Sequence, residues 1–362
     1  MNKKGSLFHI SKRDALPLPK ALLIRGGILL LALVFCGLIT TLLTGQDPIA
    51  VYGTILKGAF GTSRKIWVTG QNVAVLLGIS LAVTPAFKMR FWNIGAEGQT
   101  LIGCLATTTC MILLGGKVSN FLLIVISLAA ALLAGAVWGF LPAFFKAKWN
   151  TNETLFTLMM NYIATSLTMF FLESWMKKGS TGSSWNFNYG MLPYSGNVYV
   201  LPTIIVALVT VAMFFYLKTT KHGYEISVVG ESVNTARYAG INVKKVIIRT
   251  LVVSGAVCGI AGFILANIEG KLDTAMVGGM GFTAIIVAWL AKFNPVYMIM
   301  TAFLIIFSGQ GMTEIMSKAG ITNASQAFPD IITGLMFFFI IGCEFFIRYR
   351  VILNKKSKTE AK

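Results

Sequence analysis

Charge is scarce in this sequence, and acid scarcer still. Only 12% of the 362 residues are charged, and 13 of them are acidic. A soluble domain usually carries about 25% charged residues, so a water-facing surface of ordinary composition is excluded. There are two histidines, and the five cysteines (Cys36, Cys104, Cys110, Cys258, Cys343) lie singly inside apolar runs. They show no C-x-x-C or Cys/His spacing, which excludes a zinc centre and a redox pair; they read as small buried hydrophobes. The phosphate-cradling loop G-x-x-x-x-G-K-[ST] is missing, so the chain is not itself a P-loop ATPase. No catalytic constellation stands out.

What is present is apolar length. Hydrophobic residues make up 56% of the chain and mean hydropathy is +0.74. They fall in runs of about 20 residues, the length that crosses a bilayer. The reading is an all-α, polytopic membrane protein with one transmembrane domain over 1–362. The net charge of +18 does not point to nucleic acid. The basic residues flank apolar segments, where they act as topology signals. Leu33-Val34-Phe35-Cys36 superficially resembles a lipoprotein cleavage site. Phe35 is bulky where a small residue is needed and the apolar run continues, which predicts a retained first span.

About ten transmembrane helices are expected: Ala21–Leu43, Asn72–Phe87, Ile94–Leu114, Phe121–Phe145, Thr154–Leu172, Val200–Leu217, Val246–Ile268, Gly279–Ala291, Pro295–Phe307 and Ile331–Ile347. The eighth and ninth are short and read as full, broken or re-entrant segments. With both termini in the cytosol, 23 of the 31 basic residues fall on the cytosolic side and 8 on the other. That asymmetry follows the positive-inside rule. It also demands an even number of spans. Gly45–Gln71 and Glu173–Tyr199 are then long external connections, and 218–249 is a long cytosolic one.

Two spans carry polar stripes. With helix from Asn93 onward, Asn93, Glu97, Thr100, Cys104 and Thr107 share one face, and Thr154, Thr157, Asn161, Thr165 and Thr168 do so in the fifth span. A carboxylate facing lipid costs roughly 2.5–3.5 kcal/mol even on insertion scales. Glu97 must therefore face protein or water. Two roles stay open for it: a pathway group, and an acid that pins a helix break at Gly95 and Gly98. The threonines equally suit interhelical hydrogen bonds. Gly135 with Gly139, and Gly255 with Gly259 and Gly262, predict close helix approach.

In the cytosolic connection, Gly230 and Gly240 bracket a short helical stretch. Ser232 can cap it with Thr235 at the third position, and Gly240 suits a left-handed terminator. Val233, Ala236 and Ala239 offer a small apolar face. The stretch reads as a connector or as a rigid docking helix.

Four stretches carry a family resemblance. "GYEISVVGESVNTARYAGINVKKVIIRTLVVSGAVCGIAG" resembles the coupling loop of ABC-transporter permeases that import simple sugars, branched-chain amino acids and nucleosides. "FWNIGAEGQTLIG" is similar to the N-I-G-x-E-G-Q motif of the sugar and nucleoside branch. "NETLFTLMMNYIA" and "MGFTAIIVAWLAKFNP" resemble its fifth and eighth segments. Together they run in the expected order between Val73 and Phe346. Lys292 and Phe293 depart from the pattern, where many relatives have a small residue before Asn-Pro.

The resemblance implies one half of a transmembrane dimer, homo- or heteromeric, in the lipid of the cell membrane. It implies a cytosolic ABC ATPase that binds the ATP, and an extracytoplasmic solute-binding lipoprotein. No cofactor is expected in this chain. Asn93, Glu97, Gln99, Thr100, Thr157 and Asn161 would lie near the translocation pathway. Gly230, Glu231, Asn234, Ala236, Arg237 and Gly240 would couple to the ATPase. The motif forms lean toward a nucleoside, guanosine-like, with Phe91, Trp92 and Phe282 as stacking candidates. An ion-coupled secondary transporter, with Glu97 as its proton-carrying acid, is the alternative.

Overall fold

Helix dominates because the apolar runs can satisfy their backbone only internally. The computed structural model describes residues 8–12, 18–45, 47–175, 185–186, 189–192, 198–320, 328 and a discontinuous set between 331 and 353. Along them run α1 (Leu18–Thr44), α2 (Pro48–Phe60), α3 (Ser63–Lys88), α4 (Ala96–Leu114), α5 (Asn120–Trp149), α6 (Glu153–Trp175) and α7 (Val200–Thr219). They are followed by α8 (Lys221–Glu231), α9 (Val233–Tyr238), α10 (Val243–Glu269), α11 (Met280–Leu290) and α12 (Pro295–Lys318). Two short antiparallel pairs join β1 (Phe8–Lys12) to β4 (Tyr349–Leu353), and β2 (Trp185–Asn186) to β3 (Lys271–Leu272).

Among the described residues, seven helices are long and apolar enough to cross a membrane: α3, α4, α5, α6, α7, α10 and α12. Leu30–Thr44 and Ile49–Phe60, bent by 97°, make an eighth if they form one span. α11 is apolar but only 11 residues long. The chain is thus an all-α polytopic membrane protein.

The expected fourth to seventh spans match α5, α6, α7 and α10 closely. Three expectations change. The stretch Gly45–Gln71, expected as a long connection, is largely helical: Asp47 caps α2 by accepting the Ile49 amide at 2.9 Å, with Pro48 at the first helical position. The ninth span is not short, since α12 runs on through Gly309 and Gly311 to Lys318. Packing offsets the weak helix propensity there, because Gly311 lets the helix close on Ile55. α4 begins at Ala96, so Asn93 stands outside the helix whose face it was expected to share. The tenth span, Ile331–Ile347, is described only at scattered helical positions, and most of the connection Glu173–Tyr199 lies outside the described residues.

The chain divides into two units, Ile66–Ile306 and Met1–Lys65 with Phe307–Lys362, the division falling within α3 and α12. In the smaller unit, Tyr52 donates to the Leu33 carbonyl and Lys65 pairs with Glu314 at 2.7 Å. In the larger unit, α10 is the central helix, packed on α4 and α5. Glycine sets that approach. A Cβ on Gly255 would stand 2.1 Å from the Gly135 carbonyl oxygen, and one on Gly262 2.3 Å from that of Thr100. The small-residue spacing does what it predicts: the backbones meet directly.

Candidate functional site

Between α3 and α4 the chain leaves the helix for seven residues, 89–95. α3 ends with Arg90 in the left-handed region (φ 60°), its amide bonded to the Phe87 carbonyl and that of Phe91 to Ala86. This is a helix-ending pattern usually closed by glycine. The break leaves backbone groups that need partners, and the polar residues of the two stripes supply them.

Asn93 is fully buried and works as a local cap. Its Oδ1 accepts the Gly95 amide at 3.1 Å, and its Nδ2 donates to Ser254 Oγ of α10 at 3.3 Å. Asn93 and Gln99 also exchange two longer side-chain bonds, each 3.4 Å. From α6, Asn161 makes a two-sided stitch: Nδ2 donates to the Ile94 carbonyl at 3.0 Å, and Oδ1 accepts the Gly98 amide at 2.9 Å. Thr157 Oγ1 accepts the Ile94 amide at 3.1 Å. Gly98 is required here, since a Cβ would stand 2.9 Å from Asn161 Oδ1 and 3.0 Å from its Cα. Thr100 is buried one turn on, its carbonyl against Gly262.

Glu97 turns the other way. Its Oε1 accepts the Gly279 amide at 2.8 Å and its Oε2 the Gly281 amide at 2.7 Å. Those amides open α11, which has no capping side chain of its own at Gly279. The carboxyl group therefore caps a helix from another part of the chain, accepting amides that the helix's own residues leave free. Glu97 pins the start of α11, and not the break at Gly95 and Gly98 that the second of its two expected roles gave it. Gly278 and Gly279 are both left-handed, at φ 60° and 76°. All six residues expected near a pathway are buried or half-buried around this one break.

The same break carries an aromatic group. Phe91 is buried. Trp92 is 48% exposed and lies 5.8 Å, ring to ring, from Trp289 of α11, which is 47% exposed. Phe87 meets both rings edge-on. Phe282 is exposed and on the same short helix.

The second group of expected residues lies on α8 and α9. Ser232 accepts the Thr235 amide at 3.2 Å and Gly240 ends α9 at φ 75°, both as expected. There are two helices rather than one, and Gly230 does not bracket: it is buried inside α8, where a Cβ would stand 2.2 Å from the Lys88 carbonyl oxygen. Ala236 is fully buried among Ala86, Met89, Phe91 and Val243, so it seats α9 on the membrane helices instead of facing outward. Glu231, Asn234 and Arg237 are exposed.

The family described as the branched-chain amino acid transport system / permease component matches residues 66–341. The chain belongs to that family. It is a permease component of an ABC importer and a multi-pass protein of the cell membrane. A glucose ABC transporter permease protein, TsgB13 of Haloferax volcanii, is 28% identical, over 91% of this chain and 87% of its own. A guanosine ABC transporter permease protein, NupP of Bacillus subtilis, is 28% identical over 90% and 94%. A nucleoside ABC transporter permease protein, NupB of Lactococcus lactis, is 27% identical over 86% and 89%.

Three partners and one exposed residue in this permease escape a reading of motifs. Ser254 meets Asn93 across 161 positions of sequence. Gly279 and Gly281 serve Glu97 through amides, which no side-chain pattern displays; the signal was a G-G-x-G run opening a short apolar segment with no cap of its own. Tyr238 is 94% exposed at the end of α9. An aromatic so exposed beside a buried alanine marks which side of α9 faces outward.

Proposed function

We propose that this permease moves a nucleoside into the cell as one of two transmembrane subunits. ATP is hydrolysed on a separate cytosolic subunit that docks on α8 and α9, and an extracytoplasmic protein delivers the solute. The observation that carries this reading is the α9 segment. Its inner residue Ala236 is buried and its outer residues Asn234, Arg237 and Tyr238 are exposed. A helix of six residues is too short to be stable alone. It is rigid because the permease seats it, which suits a part that passes motion between an ATPase and membrane helices.

Solute contact is assigned to the break at 91–95 and to Trp92 and Trp289. A half-exposed aromatic pair offers a π-face to a base, and the N-I-G-x-E-G-Q and M-M-N-Y motifs lean the same way. A sugar ring would also pack on such a pair, and one of the relatives is a glucose permease. The test is uptake of radiolabelled guanosine and glucose by cells expressing the chain with its partner subunits. Guanosine uptake abolished by Trp92→Ala, with glucose ignored, supports the reading. Glucose uptake with guanosine ignored overturns the substrate and leaves the permease role intact.

A further inference from the structure

A cavity of about 810 Å³ opens where α3, α5, α6, α8, α9 and α10 end or begin. Its floor is apolar, with Met89, Phe91 and Val229 drawn from the buried core. Five basic residues line it: Arg90, Lys146, Lys148, Arg237 and Lys244. The one acid in its lining, Glu153, is taken by Lys146 at 2.7 Å. Arg90, Lys148, Arg237 and Lys244 have no carboxylate within ion-pair distance among the described residues, and all four are exposed. Four exposed cations facing one cavity give it a positive potential that favours an anion there.

The side of the cavity on α5 is flanked by exposed aromatic and apolar side chains. Lys148 Nζ lies 4.5 Å from the Trp149 ring centroid and 5.5 Å from that of Phe144. Trp149 is exposed, as tryptophans at the membrane–water boundary are. Leu133, Val137 and Phe140 form an exposed apolar stripe on α5 that leads to this end. A free phosphate has no use for an apolar floor or for such a stripe. An amphiphile uses both.

We propose that this cavity seats the phosphate headgroup of an anionic phospholipid, with its acyl chains along α5. Its placement at the cytosolic leaflet rests on reading α8 and α9 as the coupling segment. Arg237 and Val233 of α9 line the cavity, so a bound headgroup neutralises charge directly beside that segment. Anionic lipid would thereby steady α9 against the membrane helices.

Retention of phosphatidylglycerol tests this, read by native mass spectrometry of the full-length permease released from nanodiscs of phosphatidylcholine with and without phosphatidylglycerol. Neither ATP nor the ATPase is needed, so the outcome is separable from transport. Each basic residue near a charged membrane surface is worth about 1 kcal/mol, roughly fivefold. Lys148→Gln with Lys244→Gln should cut retention roughly 25-fold, and Lys148→Arg with Lys244→Arg should restore it. Equal retention by wild type and the glutamine variant overturns the proposal. So does displacement of the lipid by millimolar inorganic phosphate, which would make this a soluble-anion site. A glutamine variant that keeps its lipid but no longer co-purifies with the ATPase overturns it too, and gives the basic rim to an acidic protein surface.

Discussion

Glu97 and Gly281 lie 184 positions apart and share one hydrogen bond: Glu97 Oε2 accepts the Gly281 amide at 2.7 Å. The contact is close on every side, since a Cβ on Gly281 would stand 2.4 Å from the Glu97 backbone nitrogen. The acid fixes where α11 begins, and the glycine allows the acid to reach it.

Glutamine at 97 cannot reproduce this. Two amides converge on two carboxylate oxygens, and glutamine offers one oxygen and an NH₂ that faces a second donor. Glu97→Gln should lose one charge-assisted bond, about 1.5–3 kcal/mol, seen as a lowered thermal midpoint in detergent with the protein still folded. Glu97→Leu leaves both amides bare and should fail to accumulate. A Glu97→Gln midpoint equal to wild type would remove the capping role.

Glycine positions should separate sharply. Gly281→Ala drives a methyl into backbone and should abolish folded protein, as gauged by monodisperse yield. Gly255→Ala, with its Cβ 2.1 Å from the Gly135 oxygen, should cost about 1–3 kcal/mol or more as α5 and α10 part. At Gly309 a Cβ meets nothing within 4 Å. Gly309→Ala should therefore gain up to about 1 kcal/mol from helix propensity.

On α9 two substitutions should part company. Ala236→Leu overfills a fully buried site against Met89 and Phe91 and should displace α9, lowering the thermal midpoint and ATPase co-purification together. Tyr238→Ala removes an exposed ring and should leave the midpoint unchanged while reducing co-purification severalfold. Unaltered co-purification for both would free α9 from the coupling role.

Acid should loosen the same region through His222. It lies on α8 against Tyr216 of α7 and Thr250 of α10, with Glu225 and Arg249 nearby. Burial, and then the Arg249 charge, hold its pKa below the ordinary 6.5, while Glu225 and the backbone at Val246 oppose them. The unfolded chain therefore binds the proton first. Stability from this group is level above about pH 6.5 and falls as pH drops through that value toward the folded pKa. Thermal midpoints between about pH 7.5 and pH 5 should decline more steeply for wild type than for His222→Gln.

Much of this was legible in the sequence because membrane constraints are strong. Apolar length marked α5, α6, α7 and α10, and the spacing of Gly135, Gly139, Gly255 and Gly259 marked a seam that exists. Asn93, Glu97, Gln99 and Asn161 were singled out as polar residues where none should be free; Asn93, Gln99 and Asn161 bind at one break, and Glu97 caps α11. Their partners were not legible. Backbone amides such as those of Gly98, Gly279 and Gly281 carry no residue-type signal, and Ser254 lies too far along the chain. The helical register from Asn93 misled because the face it drew assumed a helix through Gly95; Asn93 joins the group by turning back to cap the Gly95 amide. The ninth span stopped at Phe307, just before Ser308-Gly309-Gln310-Gly311, yet packing carries α12 through these residues.

The most direct measurement is uptake into proteoliposomes holding this permease with its second permease subunit and ATPase, supplied with the solute-binding protein and radiolabelled guanosine. With ATP inside reach of the ATPase and no proton gradient, accumulation should proceed, and Glu97→Gln should retain part of it. Uptake that ignores ATP, follows an imposed proton gradient and disappears in a folded Glu97→Gln would contradict the account and make Glu97 a proton carrier.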